Sequence, residues 1–95
     1  MKTEAAAGHF AYMLLCADGT VYSGYSTDPK RRVTIHNSGR GAKYTRSRLP
    51  VELVFTECFP TKGDALKCEA ALKKLSHAEK LALISSGSVT FSVQT

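Results

Sequence analysis

The sequence predicts one α/β (α+β) domain of three strands and about three helices. Residues 10–26 contain two runs of strand-forming residues around Asp18-Gly19. Asp28-Pro29 then opens a helix, and after Pro50 a third extended run precedes apolar residues at helical spacing. Ninety-five residues with 43% hydrophobic content support one small core.

The stretch from Phe10 to His36 organises the rest, because it carries Tyr12, Tyr22, Arg32 and His36, four side chains able to face one cleft. Whether they do depends on the hairpin turn, since a one-residue change of register sends one tyrosine to the opposite face. A two-residue Asp18-Gly19 loop would pair Leu15 with Tyr22 and Tyr12 with Tyr25, separating Tyr12 from Tyr22. A three-residue Ala17-Asp18-Gly19 loop with left-handed Gly19 pairs Leu14 with Tyr22 and Tyr12 with Gly24, setting both phenols on one face. We favour the second register, since a strand glycine marks close approach of a ligand or another backbone.

Asp28 caps a helix over residues 29–37, Pro29 fits its first position, and Ser38-Gly39 ends it. Its inward arc holds Pro29, Val33 and the stems of Arg32 and His36, which are four apart and so lie one above the other. Residues 38–50 are expected to form a basic, glycine-containing loop. Residues 51–59 form the third strand, with Val51, Leu53 and Phe55 on one face and Val54 and Cys58 on the other. Apolar residues on both faces suggest a central strand or one covered on both sides. A second helix spans residues 62–75, and the Ser76/Glu79 capping box opens a third over 77–86, ended by Gly87. In residues 88–95, Val89, Phe91 and Val93 share one side of an extended segment that could add an edge strand, meet a partner or stay loose. The expected division is a lead-in over residues 1–9, the domain over 10–87 and a tail over 88–95.

Formal net charge is +5, and seven of the thirteen basic residues, Lys30, Arg31, Arg32, Arg40, Lys43, Arg46 and Arg48, lie between Asp28 and Glu52 with no acid among them. Such concentration suits a polyphosphate partner, through counterion release. Arg31, Arg40, Lys43, Tyr44, Thr45, Arg46 and Arg48 are the candidate nucleic-acid contacts, supplying donors and an aromatic plane. Cys16, Cys58 and Cys68 form an odd set in apolar stretches, expected as buried thiols in a reducing cytoplasm. The longest apolar run, eight residues from Phe10 to Ala17, is too short to span a bilayer. Residues 1–8 lack the apolar centre of a secretory signal.

Glu69 falls beside Ala65 and Leu72 on a helical projection. A carboxylate turned toward a packed side needs a cation, a donor or a metal. His9, His36 and His77 are too scattered to suggest zinc. Two phenols, an arginine, a histidine, a lysine and one carboxylate suit phosphodiester cleavage. A single Mg²⁺ held by Glu69 and the substrate phosphate is an ordinary arrangement for that ion.

Phe10-Ala11-Tyr12, the ten-residue step to Tyr22-Ser23-Gly24, Arg32 and His36 on the next helix, and Glu69 on a later one resemble the GIY-YIG nucleases. The run from Asp28-Pro29-Lys30-Arg31-Arg32 through His36-Asn37-Ser38-Gly39, Gly41-Ala42-Lys43-Tyr44-Thr45 and Pro50-Val51 resembles their small stand-alone bacterial branch. That resemblance implies a three-stranded antiparallel sheet flanked by helices. It implies that Tyr12 deprotonates the attacking water or assists in it, Tyr22 orients water or phosphate, and Arg32 stabilises transition-state charge. Glu69 would bind Mg²⁺ or Mn²⁺, and His36 would be a base or proton relay near Tyr12. A free phenol has a pKa near ~10, so Tyr12 as a base needs Arg32 and the metal to lower it. The motifs depart from the family at Phe10-Ala11 and Ser23, which removes packing but no reacting group. The implied activity is metal-dependent endo- or exonucleolytic cleavage of nucleic acid, DNA before RNA, on branched or single-stranded substrates in repair or processing, with substrate choice coming from the chain's own basic loop or from a protein partner. The other reading is a module that binds nucleic acid or a protein through the basic face without cleaving.

Overall fold

Strand β1 (His9–Cys16) forms the middle of a three-stranded antiparallel sheet, between β2 (Val21–Ser26) and β3 (Val51–Phe59). The computed structural model describes the backbone of residues 8–94 and the side chains of residues 8–86. Ala11, Tyr12, Met13 and Leu14 are all fully buried, because β1 is covered on both faces. That explains its unbroken apolar run, and of the two expectations for β3, a central strand or one covered on both sides, the second holds. β3 is an edge strand that packs helices on both sides.

The hairpin adopts the three-residue loop. Cys16 N–H donates to Thr20 O at 2.8 Å, Gly19 N–H donates to Cys16 O at 2.9 Å, and Gly19 has φ +86°. Leu14 therefore pairs with Tyr22 and Tyr12 with Gly24, so both phenols share a face.

Between β1 and β3 the register shifts. Met13 pairs with Phe55 but Leu14 with Leu53, leaving Val54 as the extra residue of a bulge. The bulge reverses the later side chains, so Val51, Leu53 and Phe55 do not share a face as the alternation suggested. Val51 and Leu53 pack with Tyr12, Leu14 and Cys16, whereas Phe55 packs with Ala11, Met13 and Leu72. The orphan of this second cluster is Ser23, which is buried with no partner for its Oγ among the described residues.

Helix α1 (Pro29–Asn37) starts as the sequence indicates, with Asp28 accepting from Arg31 N–H at 3.2 Å and Pro29 at its first position. It ends in a Schellman turn: Arg40 N–H donates to Ile35 O at 3.2 Å and Gly39 N–H to His36 O at 3.0 Å, with Gly39 at φ +85°. The expected loop 38–50 contains a helical turn, α2 (Lys43–Arg46), which turns back onto α1. Asn37 ties α1 to β3, donating through Nδ2 to Val51 O at 3.0 Å and accepting Val51 N–H at 2.7 Å. This amide stands in for a neighbouring strand at the sheet edge.

Helix α3 (Lys62–Lys73) is capped by Thr61. Helix α4 (His77–Gln94) opens with reciprocal Ser76 and Glu79 bonds of 2.8 and 3.1 Å. It runs through Gly87 instead of stopping there, because one interior glycine costs only about 1 kcal/mol against alanine. The expected extended tail is therefore helical over residues 88–94, and Thr95 lies outside the described residues. The lead-in over residues 1–7 also lies outside them, while His9 belongs to β1 and bonds Tyr25 Oη at 2.8 Å. Cys16 is buried and Cys68 half-buried, but Cys58 is exposed near the end of the edge strand, against expectation. Among the described residues no helix is long and apolar enough to cross a membrane.

Candidate active site

The bulge-free half of β1 and the glycine of β2 place the first phenol. An added Cβ at Gly24 would lie 2.6 Å from Cζ and Oη of Tyr12, so the tyrosine ring lies directly over this glycine. The space above Gly24 is thus filled by Tyr12 itself. We predict that Gly24→Ala displaces the ring, lowers stability by about 1–3 kcal/mol, and reduces any Tyr12-dependent rate by about 10²-fold. Thermal unfolding beside single-turnover rates at a temperature where the variant is folded checks both.

Tyr12 Oη lies 3.3 Å from His36 Nε2, with both residues buried to within 1%. His36 Nδ1 lies 2.8 Å from Thr45 Oγ1. Tyr22 closes the group, with ring centroids 5.3 Å from His36 and 6.4 Å from Tyr12. Burial raises the Tyr12 pKa above its usual 10.0, while hydrogen bonding and charge from Arg32 pull it down. Tyr22 and Glu69 add smaller upward pushes. Arg32 acts in the expected direction, but burial outweighs it, so the chain's own residues leave this phenol protonated at neutral pH. His36 is held below its usual 6.5, first by burial and then by the Arg32 charge, so it stays neutral.

Tyr12, Tyr22 and His36 are in contact, and Arg32 and Glu69 both act electrostatically on the Tyr12 hydroxyl. The Glu69 side chain is 18% exposed, and its Oε2 pairs with Lys73 Nζ at 3.1 Å. Lys73 was missed as its partner, although the i,i+4 spacing was visible. Among the described residues no three His, Cys, Asp or Glu side chains gather around one point. The donor set is one half-sheltered carboxylate, which fits an ion that keeps several waters and takes its remaining ligands from a substrate phosphate.

The expected nucleic-acid contacts divide. Arg31, Arg40, Lys43, Tyr44 and Arg46 are exposed. Thr45 is corrected: it is fully buried, and its hydroxyl is engaged with His36 and with Ala42 O at 2.9 Å, so it cannot touch a nucleic-acid strand. Arg48 is also committed, bonding Asp18 Oδ2 at 3.0 Å and Tyr44 O at 2.6 Å while lying 4.0 Å over the Tyr44 ring. It fastens the hairpin turn to α2. Tyr44 in turn stacks near Tyr22, with centroids 5.9 Å apart, extending an aromatic row from the buried phenol to the surface. A hollow of about 350 Å³ beside the hairpin turn shares Tyr44 but includes none of Tyr12, Tyr22, Arg32, His36 or Glu69.

A model of the GIY-YIG catalytic domain matches residues 8–82. The chain belongs to the GIY-YIG family. It is similar to a UPF0213 protein of Enterococcus faecalis, 55% identical over 74 residues that cover 76% of this chain and 84% of that one. A UPF0213 protein of Natronomonas pharaonis is 53% identical over 79 residues, covering 83% and 93%. The solution NMR structure of a UPF0213 protein from Bacillus halodurans matches with 44% identity and a TM-score of 0.57, covering 93% of this chain and 94% of that one. This GIY-YIG chain thus has small relatives in bacteria and archaea and shares their fold. The family is one of nucleases that use divalent metal ions.

Proposed function

We propose that this GIY-YIG chain hydrolyses DNA phosphodiesters with Mg²⁺ or Mn²⁺, acting on branched or single-stranded DNA in repair or processing. The observation that carries the reading is a buried phenol 3.3 Å from a neutral imidazole, with the Arg32 guanidinium lowering its pKa by hydrogen bonding and charge and the Glu69 carboxylate within electrostatic range. Cleavage needs a route for the proton of the attacking water. Tyr12 takes that proton as it hands its own to Nε2 of His36, so no free phenolate is required. Arg32 stabilises the charge that builds on the phosphorus-bound oxygens. Tyr22, beside both rings, orients the water or the phosphate. Glu69 holds the divalent ion, which when bound polarises the phosphate and supports the leaving oxygen. Arg31, Arg40, Lys43 and Arg46 attract the backbone without reading sequence, and exposed Tyr44 offers a ring to an unpaired base.

The test is a panel of end-labelled single-stranded, duplex, flap and branched DNAs, with RNA counterparts, incubated with Mg²⁺, Mn²⁺ or chelator and resolved on denaturing gels. Metal-dependent cutting of DNA is expected, strongest on one of the branched or single-stranded forms. Tight binding on the same panel without cutting in any metal would instead favour the non-cleaving module.

A further inference from the structure

Thr45 has one hydroxyl hydrogen and two polar neighbours. Ala42 O can only accept, and it lies 2.9 Å from Thr45 Oγ1. With its hydrogen directed there, Oγ1 has only lone pairs to offer His36 Nδ1 at 2.8 Å. We infer that Thr45 is a positioning residue that locks neutral His36 in the form protonated at Nδ1, so that Nε2 is aimed at Tyr12 as a proton acceptor. The inference rests on the nuclease reading for its catalytic meaning, but the lock itself does not.

The opposite arrangement has a definite consequence. Were Nε2 protonated, it would donate to Tyr12 Oη, and the phenol would have no acceptor for its proton at His36. The direction of the relay is therefore set by a threonine that touches neither water nor phosphate.

Three features of the chain build this arrangement. The Schellman turn after α1 returns the backbone toward His36. Gly41 then passes so close that an added Cβ would fall 2.7 Å from His36 Cγ and 2.8 Å from its Cα. Only a residue without a side chain allows α2 to approach that far. Finally, Thr45 N–H also donates to Ala42 O, at 3.1 Å, which fixes the carbonyl that orients the hydroxyl. All of this is buried, with His36 and Thr45 each at 0% exposure, so no solvent competes for Nδ1.

The tautomer is read directly from long-range ¹H–¹⁵N correlations of the His36 ring in the intact protein without substrate or metal, at a pH where the ring is neutral. Nδ1 protonated and Nε2 bare is expected in the wild type and in Thr45→Ser, which keeps the hydroxyl. Thr45→Val, of nearly the same shape, should shift the ring toward the Nε2-protonated form. Its single-turnover cleavage should fall about 10- to 100-fold with KM little changed, and Thr45→Ser should restore most of the rate. An Nε2-protonated wild type overturns the inference, as does a Thr45→Val protein with unchanged tautomer and rate. Should Thr45→Val fail to fold, the wild-type and Thr45→Ser spectra still decide. Absence of cleavage by a protein whose His36 is protonated at Nδ1 counts against the nuclease reading and for the lock.

Discussion

Glu69→Ala is expected to lower metal-dependent cleavage by about 10³-fold while the protein still binds DNA and stays folded. The size follows from the donor set. Among the described residues Glu69 is the carboxylate within electrostatic range of the Tyr12 hydroxyl, and no cluster of three His, Cys, Asp or Glu side chains offers another metal site there. The stability effect is small by comparison. Its partner Lys73 is 56% exposed, and an i,i+4 pair of this kind contributes only about 0.3–0.5 kcal/mol. Glu69→Gln separates charge from shape, because it preserves the side-chain volume and should be nearly as slow. Single-turnover rates over a metal titration, with binding followed by fluorescence anisotropy, distinguish lost chemistry from lost affinity. Unchanged cutting by either variant would mean that the metal site lies elsewhere or that the cleavage comes from a contaminant.

Local chemistry made much of this site legible. The choice of hairpin register depended on a glycine able to take positive φ and on Gly24 opposite Tyr12, and both are what the folded chain uses. Asp28, Pro29 and Gly39 marked α1 because each meets a steric or hydrogen-bonding need of its own position. The features that were not legible depend on distant parts of the chain. Nothing near Val54 announces a bulge, which arises from how β3 meets β1, so strict alternation put Phe55 on the wrong face. Thr45 sits between a tyrosine and an arginine, both exposed, in a run that looks like surface. Its burial comes from the four-residue helix α2 folding over His36, and Ala42 at the start of that helix supplies no side-chain cap to signal it. Arg48 counted toward the basic patch by charge alone, whereas Asp18 lies thirty positions away in sequence and claims its guanidinium.

Tyr12→Phe isolates the phenolic proton. The phenylalanine ring can keep its place over Gly24, so the sheet register and the packing with Leu14 and Cys16 are preserved. The loss is the buried bond to His36 Nε2 together with the hydroxyl that Arg32 acts on, a stability decrease of about 1–3 kcal/mol. Cleavage should fall by about 10²–10⁴-fold, the range for removing a positioned proton carrier. The pH dependence gives a second, sharper check. His36 accepts a proton only while neutral, and burial and Arg32 hold its pKa below 6.5. The wild-type rate should therefore stay level down to the ordinary histidine range and decline only below it, as the ring becomes charged. Stability should follow the same direction. Below 6.5 the unfolded chain takes up a proton on this histidine more readily than the folded one, so unfolding becomes easier as pH falls from 6.5 toward the depressed folded value. Tyr12→Phe should keep that loss of stability, because His36 remains buried, yet lose the acid limb of the rate that passes through His36. An acid limb of unchanged shape in the variant would separate His36 from the proton path and leave the phenol with a purely structural role.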